Sequence, residues 1–278
     1  MNLDLEALQN PSPYAAQNAA LMFIDADRDT AVARCLPFLS HPDAVVRKVV
    51  AGALAYRPYD HLMLGQDKLP LIAPGDVDPL IALMQSTDAS VRSCVAVMLG
   101  DVRDACVIPA LLSGLRDSCA YVRSNAAEAL TRREGAEVGD ALIHALKHDP
   151  VAEVRRATLF AVQMTNPCQA FEAVAHMLGN DSDSKNRSYA VSTLGELDPA
   201  RASTLVAQAL RTEADWIERG HMIIQLYHMS KKAPWDASVE PLLQELRDND
   251  PNEFVRKDAG NVLTWVEWRR SKKPGFGD

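Results

Sequence analysis

The sequence predicts an all-α chain, a right-handed α–α superhelix (a solenoid) of about seven helical hairpins. Three observations predict it. Ala, Leu and Val recur throughout while aromatics are 6% of the 278 residues, a bias that suits helices packed through small side chains better than sheets. A short word recurs along the chain: an Asp, a brief gap, often Val-Arg, then an Ala-rich apolar run. The arginines of that word keep a nearly constant interval.

The word appears as HPDAVVRKVVAGALAY at 41–56, STDASVRSCVAVMLG at 86–100, LRDSCAYVRSNAAEAL at 115–130 and KHDPVAEVRRATLFAV at 147–162. Looser copies are NDSDSKNRSYAVSTLG (180–195) and EADWIERGHMIIQLY (213–227), and the last is DNDPNEFVRKDAGNVL (248–263). Its anchors are Arg47, Arg92, Arg123, Arg155, Arg187, Arg219 and Arg256, separated by 45, 31, 32, 32, 32 and 37 residues. A second apolar run precedes most of them, as in VDPLIALMQS or VEPLLQELR. Each unit therefore reads as helix A, an Asp-containing turn and helix B, and such hairpins bury their apolar sides only by stacking.

With Val122 as position 0 of a B helix, positions 0, 4, 5 and 8 are Val122, Ala126, Ala127 and Leu130, which fall on one stripe of the helix. The equivalent stripes are Val154, Thr158, Leu159, Val162 and Val255, Ala259, Gly260, Leu263. Ala at position 4 permits close helix approach. The turn Asp, Ser or Thr can accept from the free amides at the start of helix B, and Pro42 and Pro150 stand where a missing amide costs nothing. The repeated Arg is expected to bond turn carboxylates or carbonyls of its own or the next repeat, forming an inter-repeat ladder.

Two places break the period. The excess between Arg47 and Arg92 falls on 57–76 (RPYDHLMLGQDKLPLIAPGD), expected as a loop insertion, and a shorter excess lies near 230–236. Residues 1–27 are expected to form a partial capping repeat, with Pro13–Ile24 as its helix. Residues 28–268 form the repeat array, and 269–278 a frayed basic tail.

This pattern resembles the HEAT-repeat family, and more closely its short bacterial subtype, the HEAT-like repeats named after phycobilisome lyases. The resemblance covers about residues 28–268. It speaks for fold and says little of function, because the family serves many tasks. It implies that the B helices line the concave face.

Charge and chemistry narrow the function. Lys and Arg number 29 against 37 Asp and Glu, a net charge of −8, with an isoelectric point near 5.4. That balance disfavours a phosphate backbone as partner and favours a basic protein. The N-terminus shows no secretory pattern and no stretch reads as a membrane span. Five scattered cysteines (Cys35, Cys94, Cys106, Cys119, Cys168) read as buried thiols of a reducing, cytoplasmic compartment. There is no phosphate-binding loop and no HExxH. His144 and His148 lie four apart without further ligands at metal-site spacing, and Asp181-Ser-Asp183 lacks the remaining positions of a calcium loop.

Among enzymes similar in architecture, deoxyhypusine hydroxylase binds iron through His-Glu dipeptides, and this sequence has none. Alkylpurine DNA glycosylases carry a basic, aromatic concave face, the wrong sign here; Trp265 and Trp268 read instead as packing of the last helix. A bilin lyase-like or tetrapyrrole-handling role stays open as an alternative. No catalytic, cofactor or metal residue is assigned.

The expectation is a non-enzymatic protein-binding scaffold, monomeric alone, acting as an acidic adaptor or as an inhibitor of immunity type. Positions 3, 6 and 10 of helix B lie opposite the core stripe, at about 300°, 240° and 280°. Phe160, Tyr189, His221 and Ile224 occupy such positions in consecutive repeats and are expected to form one patch. Tyr121, Asn125 and Glu128 extend the candidate partner-binding set.

Overall fold

The computed structural model describes residues 30–55, 72–131, 133–165 and 167–272. The expected capping repeat (1–27) and most of the expected insertion (57–71) lie outside the described residues, as does the end of the tail, 273–278. Among the described residues every regular element is helical. Fourteen α-helices follow in order: α1 (Ala31–Leu39), α2 (Ala44–Ala55), α3 (Pro74–Leu83), α4 (Ala89–Asp101), α5 (Ile108–Gly114), α6 (Ala120–Ala129), α7 (Ala136–His148), α8 (Ala152–Thr165), α9 (Pro167–Asn180), α10 (Ser184–Leu197), α11 (Pro199–Leu210), α12 (Trp216–Lys232), α13 (Val239–Asn249) and α14 (Glu253–Lys272). A 3-10 turn, Ala105–Val107, leads into α5. No helix among them is long and apolar enough to cross a membrane.

Even-numbered helices are the B helices of the expected hairpins. Two of the boundaries differ from expectation. Helix α3 starts at Pro74, inside the expected insertion, because Pro at a first helical position fits there without loss. Helix α14 runs on to Lys272, so residues 269–272 are helix; Arg269, Arg270 and Lys272 in its last turn suit the negative end of the helix dipole.

The chain gathers into two compact units, Met1–Ala145 and Leu146–Asp278. Within the first, α1 packs on α2, α3 on α4 and α5 on α6, and the B helices form a row, α2 on α4 and α4 on α6. Within the second, α9 packs on α10, α11 on α12 and α13 on α14, and the row is α8, α10, α12, α14. The core lies in the seams of these layers. The stripe residues Val122, Ala126, Ala127, Leu130, Val154, Thr158, Leu159, Val162, Val255, Ala259 and Leu263 are all buried, while Gly260 is half-buried. Thr158 pays its burial by donating its hydroxyl to the Val154 carbonyl (2.8 Å). Small residues set the spacing: a Cβ on Gly100 of α4 would meet Ala129 of α6 at 3.2 Å.

The arginine ladder is present, and it explains the interval. Arg47 donates to Asp88 (2.9 Å), and Arg92 to both oxygens of Asp117 (2.6 and 2.8 Å). In the second unit Arg155 grips Asp181 (2.7 and 2.6 Å), Arg187 grips Glu213 (2.9 and 2.7 Å) and Arg219 grips Asp250 (2.9 and 2.9 Å). Each Arg also donates to a carbonyl of its own turn: His41 and Pro42 for Arg47, Ser86 for Arg92, Asp117 for Arg123, Asp149 for Arg155 and Asp250 for Arg256.

The acidic partner has a second duty. Its other lone pairs accept the amide two residues on: Asp88 from Ser90, Asp117 from Cys119, Asp181 from Asp183, Asp250 from Asn252. One carboxylate thus caps its own turn and receives the preceding repeat's guanidinium. The Arg92 guanidinium holds the Asp117 carboxyl below the usual carboxylate range. Burial alone would raise Asp88 and Asp181, but amide and guanidinium hydrogen bonds outweigh it and both are lowered. The Asp181-Ser-Asp183 turn is part of this joint: Asp181 receives Arg155 while Asp183 caps α10.

Candidate protein-binding face

The face of each B helix turned away from its core stripe carries the expected site residues, and its exposure can now be stated. Tyr121 of α6 is 78% exposed, Phe160 of α8 57%, Tyr189 of α10 53% and Ile224 of α12 42%. These are large apolar side chains in water. The other three expected residues behave differently. Asn125 is half-buried and tied to the neighbouring B helix, donating to the Ser93 carbonyl (3.1 Å) and hydroxyl (2.8 Å). His221 is half-buried between Ser188 of α10, hydrogen-bonded to Nδ1, and Gln225, whose Nε2 meets its Nε2 at 3.2 Å. Glu128 reaches the surface, yet partial desolvation raises its carboxyl above the usual range. Asn125 and His221 therefore brace adjacent B helices and offer less free surface than expected.

The expected register of the face needs one correction. Position 3 is core in the first two repeats, where Val49 and Cys94 are buried, because neighbouring B helices pack across it there. The sequence reading took position −1, the residue before the stripe at about 260° on the same face, only at Tyr121. It is Val45, Tyr121, Ile217 and Phe254 in four repeats, and all four are exposed. The signal was an apolar residue at the first turn of helix B, where charge and Ser would be commoner. Beside two of these stands Trp216, stacked on Phe254 with ring centroids 5.7 Å apart.

The B helices of the two units differ in relief. In the first, α2, α4 and α6 enclose a groove of about 490 Å³ lined by Val45, Val49, Gly52, Ala55, Cys94 and Tyr121 among others, with Lys48 its one charged wall. Small residues leave the groove open. In the second unit, Phe160, Met164, Tyr189, Ile217, Ile224 and Phe254 project instead. Among the described residues every large apolar side chain left exposed stands on a B helix: Val45, Tyr121, Phe160, Met164, Tyr189, Trp216, Ile217, Ile224, Phe254 and Trp268. At positions −1, 3, 6 and 10 the charged residues among the described ones are Lys185 against Asp101, Glu128, Glu153, Glu196 and Asp258, an acidic excess.

Two other side-chain expectations change. Trp265 packs as expected, edge-on to Tyr227 (4.5 Å), but Trp268 is 55% exposed. Of the cysteines, Cys35 and Cys94 are buried, Cys119 half-buried and Cys106 exposed on its 3-10 turn. Burial pushes the Cys35 thiol up to about 11. Among the described residues no three His, Cys, Asp or Glu side chains gather as a metal would require.

A family model described as HEAT repeats matches residues 77–163 and 140–227, together more than half of the sequence. The chain belongs to the HEAT-repeat family. Two solved structures, YibA and a condensin subcomplex, agree on the fold. The Escherichia coli protein YibA is 18% identical over 94% of this chain and 92% of its own, with a TM-score of 0.60. The Cnd3–Cnd2 subcomplex of condensin from S. pombe matches 99% of this HEAT-repeat chain but 39% of its own, at 16% identity and a TM-score of 0.58. The CpcE–CpcF complex of phycocyanin lyase from Nostoc sp. PCC7120 matches at 18% identity over 86% and 91% of the two chains, with a TM-score of 0.42. No curated protein sequence matches this chain. Identities this low speak for the fold alone.

Proposed function

We propose that this HEAT-repeat chain is a non-enzymatic scaffold that binds a protein partner on the exposed face of its B helices. The observation that carries the reading is the confinement, among the described residues, of the large exposed apolar side chains to those helices. Had they been scattered, they would mean nothing, since folded proteins leave much apolar surface in water. Gathered on the B helices of the second unit, Phe160, Tyr189, Ile217, Ile224 and Phe254 are what an interface core needs, and aromatic anchors such as Phe160 and Tyr189 are of the types that dominate binding energy. The acidic excess at those positions suits a basic surface around the apolar contacts. The chain's net charge of −8 then acts at longer range and favours a partner of basic character. With a basic partner the role would be that of an adaptor or an inhibitor of immunity type. The matched condensin structure is itself a subcomplex of two proteins, a precedent for such a fold in an assembly.

The test is affinity capture with the wild-type chain and with the double variant Phe160→Ala, Tyr189→Ala side by side. A protein retained by the first and lost by the second is the expected result. Identical sets retained by both would sink the reading.

A further inference from the structure

The last turns of α12 and α14 form a second surface of opposite character to the rest of the chain. Helix α12 ends in Lys231 and Lys232, and α14 ends in Arg269, Arg270 and Lys272. The two ends are pinned together: Arg269 donates to the Ser230 carbonyl (2.5 Å). Of the five cations, Arg270 is neutralised by Glu240 (3.2 and 2.8 Å), and Glu267 acts electrostatically on Arg270 and on Arg247. Lys231, Lys232, Arg269 and Lys272 make no ion pair with a carboxylate among the described residues. The two helix C-termini contribute a partial negative charge of about one unit between them, so the corner stays positive.

Two of these cations are held in place by aromatic rings. The Lys231 ammonium lies 4.0 Å from the centroid of Tyr227 and 5.7 Å from that of Trp265, and the Arg269 guanidinium lies 5.3 Å from Trp265. Rings fix the side chains without neutralising them, which lowers the ordering cost of binding an anion. Exposed Trp268 stands on the same helix end.

We propose that this corner binds an acidic segment of a partner protein, with Lys231, Lys232 and Lys272 meeting its carboxylates and Trp268 covering an apolar residue beside them. The inference does not rest on the B-helix face, and the two surfaces can be separated by mutation. Nucleic acid is the competing anion, disfavoured because a long phosphate backbone runs past these few cations onto a chain of net charge −8, whereas a short acidic segment ends within the corner.

The experiment uses the full chain and two probes: a fluorescein-labelled peptide of Glu-Glu-Phe repeats, and a labelled single-stranded oligonucleotide of equal net charge. Fluorescence anisotropy should rise with the peptide, more at low salt than at high. Lys231→Ala with Lys232→Ala, Lys272→Ala and, separately, Trp268→Ala should each weaken it, the paired change by about tenfold or more. Phe160→Ala with Tyr189→Ala should leave it unchanged. Thermal unfolding of each variant checks that the fold is kept, and Lys272→Ala serves should the Lys231 change disturb the ring packing. No peptide binding at low salt, binding indifferent to all three changes, or tighter binding of the oligonucleotide overturns the proposal.

Discussion

The turn edge and the B-helix face belong to the same helices and obey different rules. On the turn edge one solution repeats: guanidinium to the next repeat's carboxylate, the same guanidinium to its own turn carbonyl, the carboxylate to an amide two residues on. On the face, one helical position reads Val45, Ser90, Tyr121, Glu153, Lys185, Ile217 and Phe254 across seven repeats. The edge is constrained by every neighbour it touches. The face has no such repeated joint, only single side contacts such as Asn125 to Ser93 and Trp216 to Phe254, and is freer to vary. Stability should therefore reside at the edge and the core seam, and recognition at the face.

The sharpest way to break that contrast is through the seam. Leu130 is fully buried, so Leu130→Ala should lower unfolding free energy by about 2–5 kcal/mol, read from urea midpoints. A shift near zero would place Leu130 outside the core. The ladder comes next. Arg155 and Asp181 are nearly buried as a bidentate pair, and Arg155→Ala should cost about 3 kcal/mol. A cycle with Asp181→Ala should show strong coupling, because each partner alone is left desolvated; additive effects would mean the pair is ornamental.

Acid is a gentler probe of the same edge. The carboxyls of Asp88, Asp117 and Asp181 are lowered in the fold. Their charge therefore stabilises the fold above the unfolded value of about 3.9, and the contribution is lost as pH falls through the lower folded value. Urea midpoints should hold level on this account down to about pH 5 and drop below about pH 4. A midpoint that climbs on acidification would contradict it. The smallest effect is expected on the face: Phe160→Ala with Tyr189→Ala should change stability by no more than about 1 kcal/mol, even while abolishing capture of a partner. A collapse in melting temperature would return both residues to the core.

The edge was almost wholly legible in the sequence, because an Arg–Asp joint requires two fixed residue types at a fixed spacing, and periodicity reports fixed spacings. The core stripe was legible for the same reason. The face was legible in part. Tyr121, Phe160, Tyr189 and Ile224 are exposed where a helical wheel puts them, but the wheel treats a helix as alone. It could not show that Val49 and Cys94 are covered by neighbouring B helices, or that Asn125 and His221 reach sideways to Ser93 and Ser188. Those outcomes depend on inter-helix distance, which a small side chain here and there sets. The basic corner was missed differently: Arg269, Arg270 and Lys272 read as a solvated tail and Lys231 and Lys232 as part of a short insertion, whereas both sets end helices.

The double duty of the turn carboxylate has a consequence for how such a chain grows. Any segment cut from one turn to the next carries a complete plug and a complete socket, an Arg reaching forward and an Asp or Glu waiting behind. Tandem duplication of about 32 residues, the interval between Arg123 and Arg155, would insert a module whose joints are already made. Lengthening by gene slippage then requires no fresh adaptation at the splice, and selection is left to work on the outward residues of the newcomer alone.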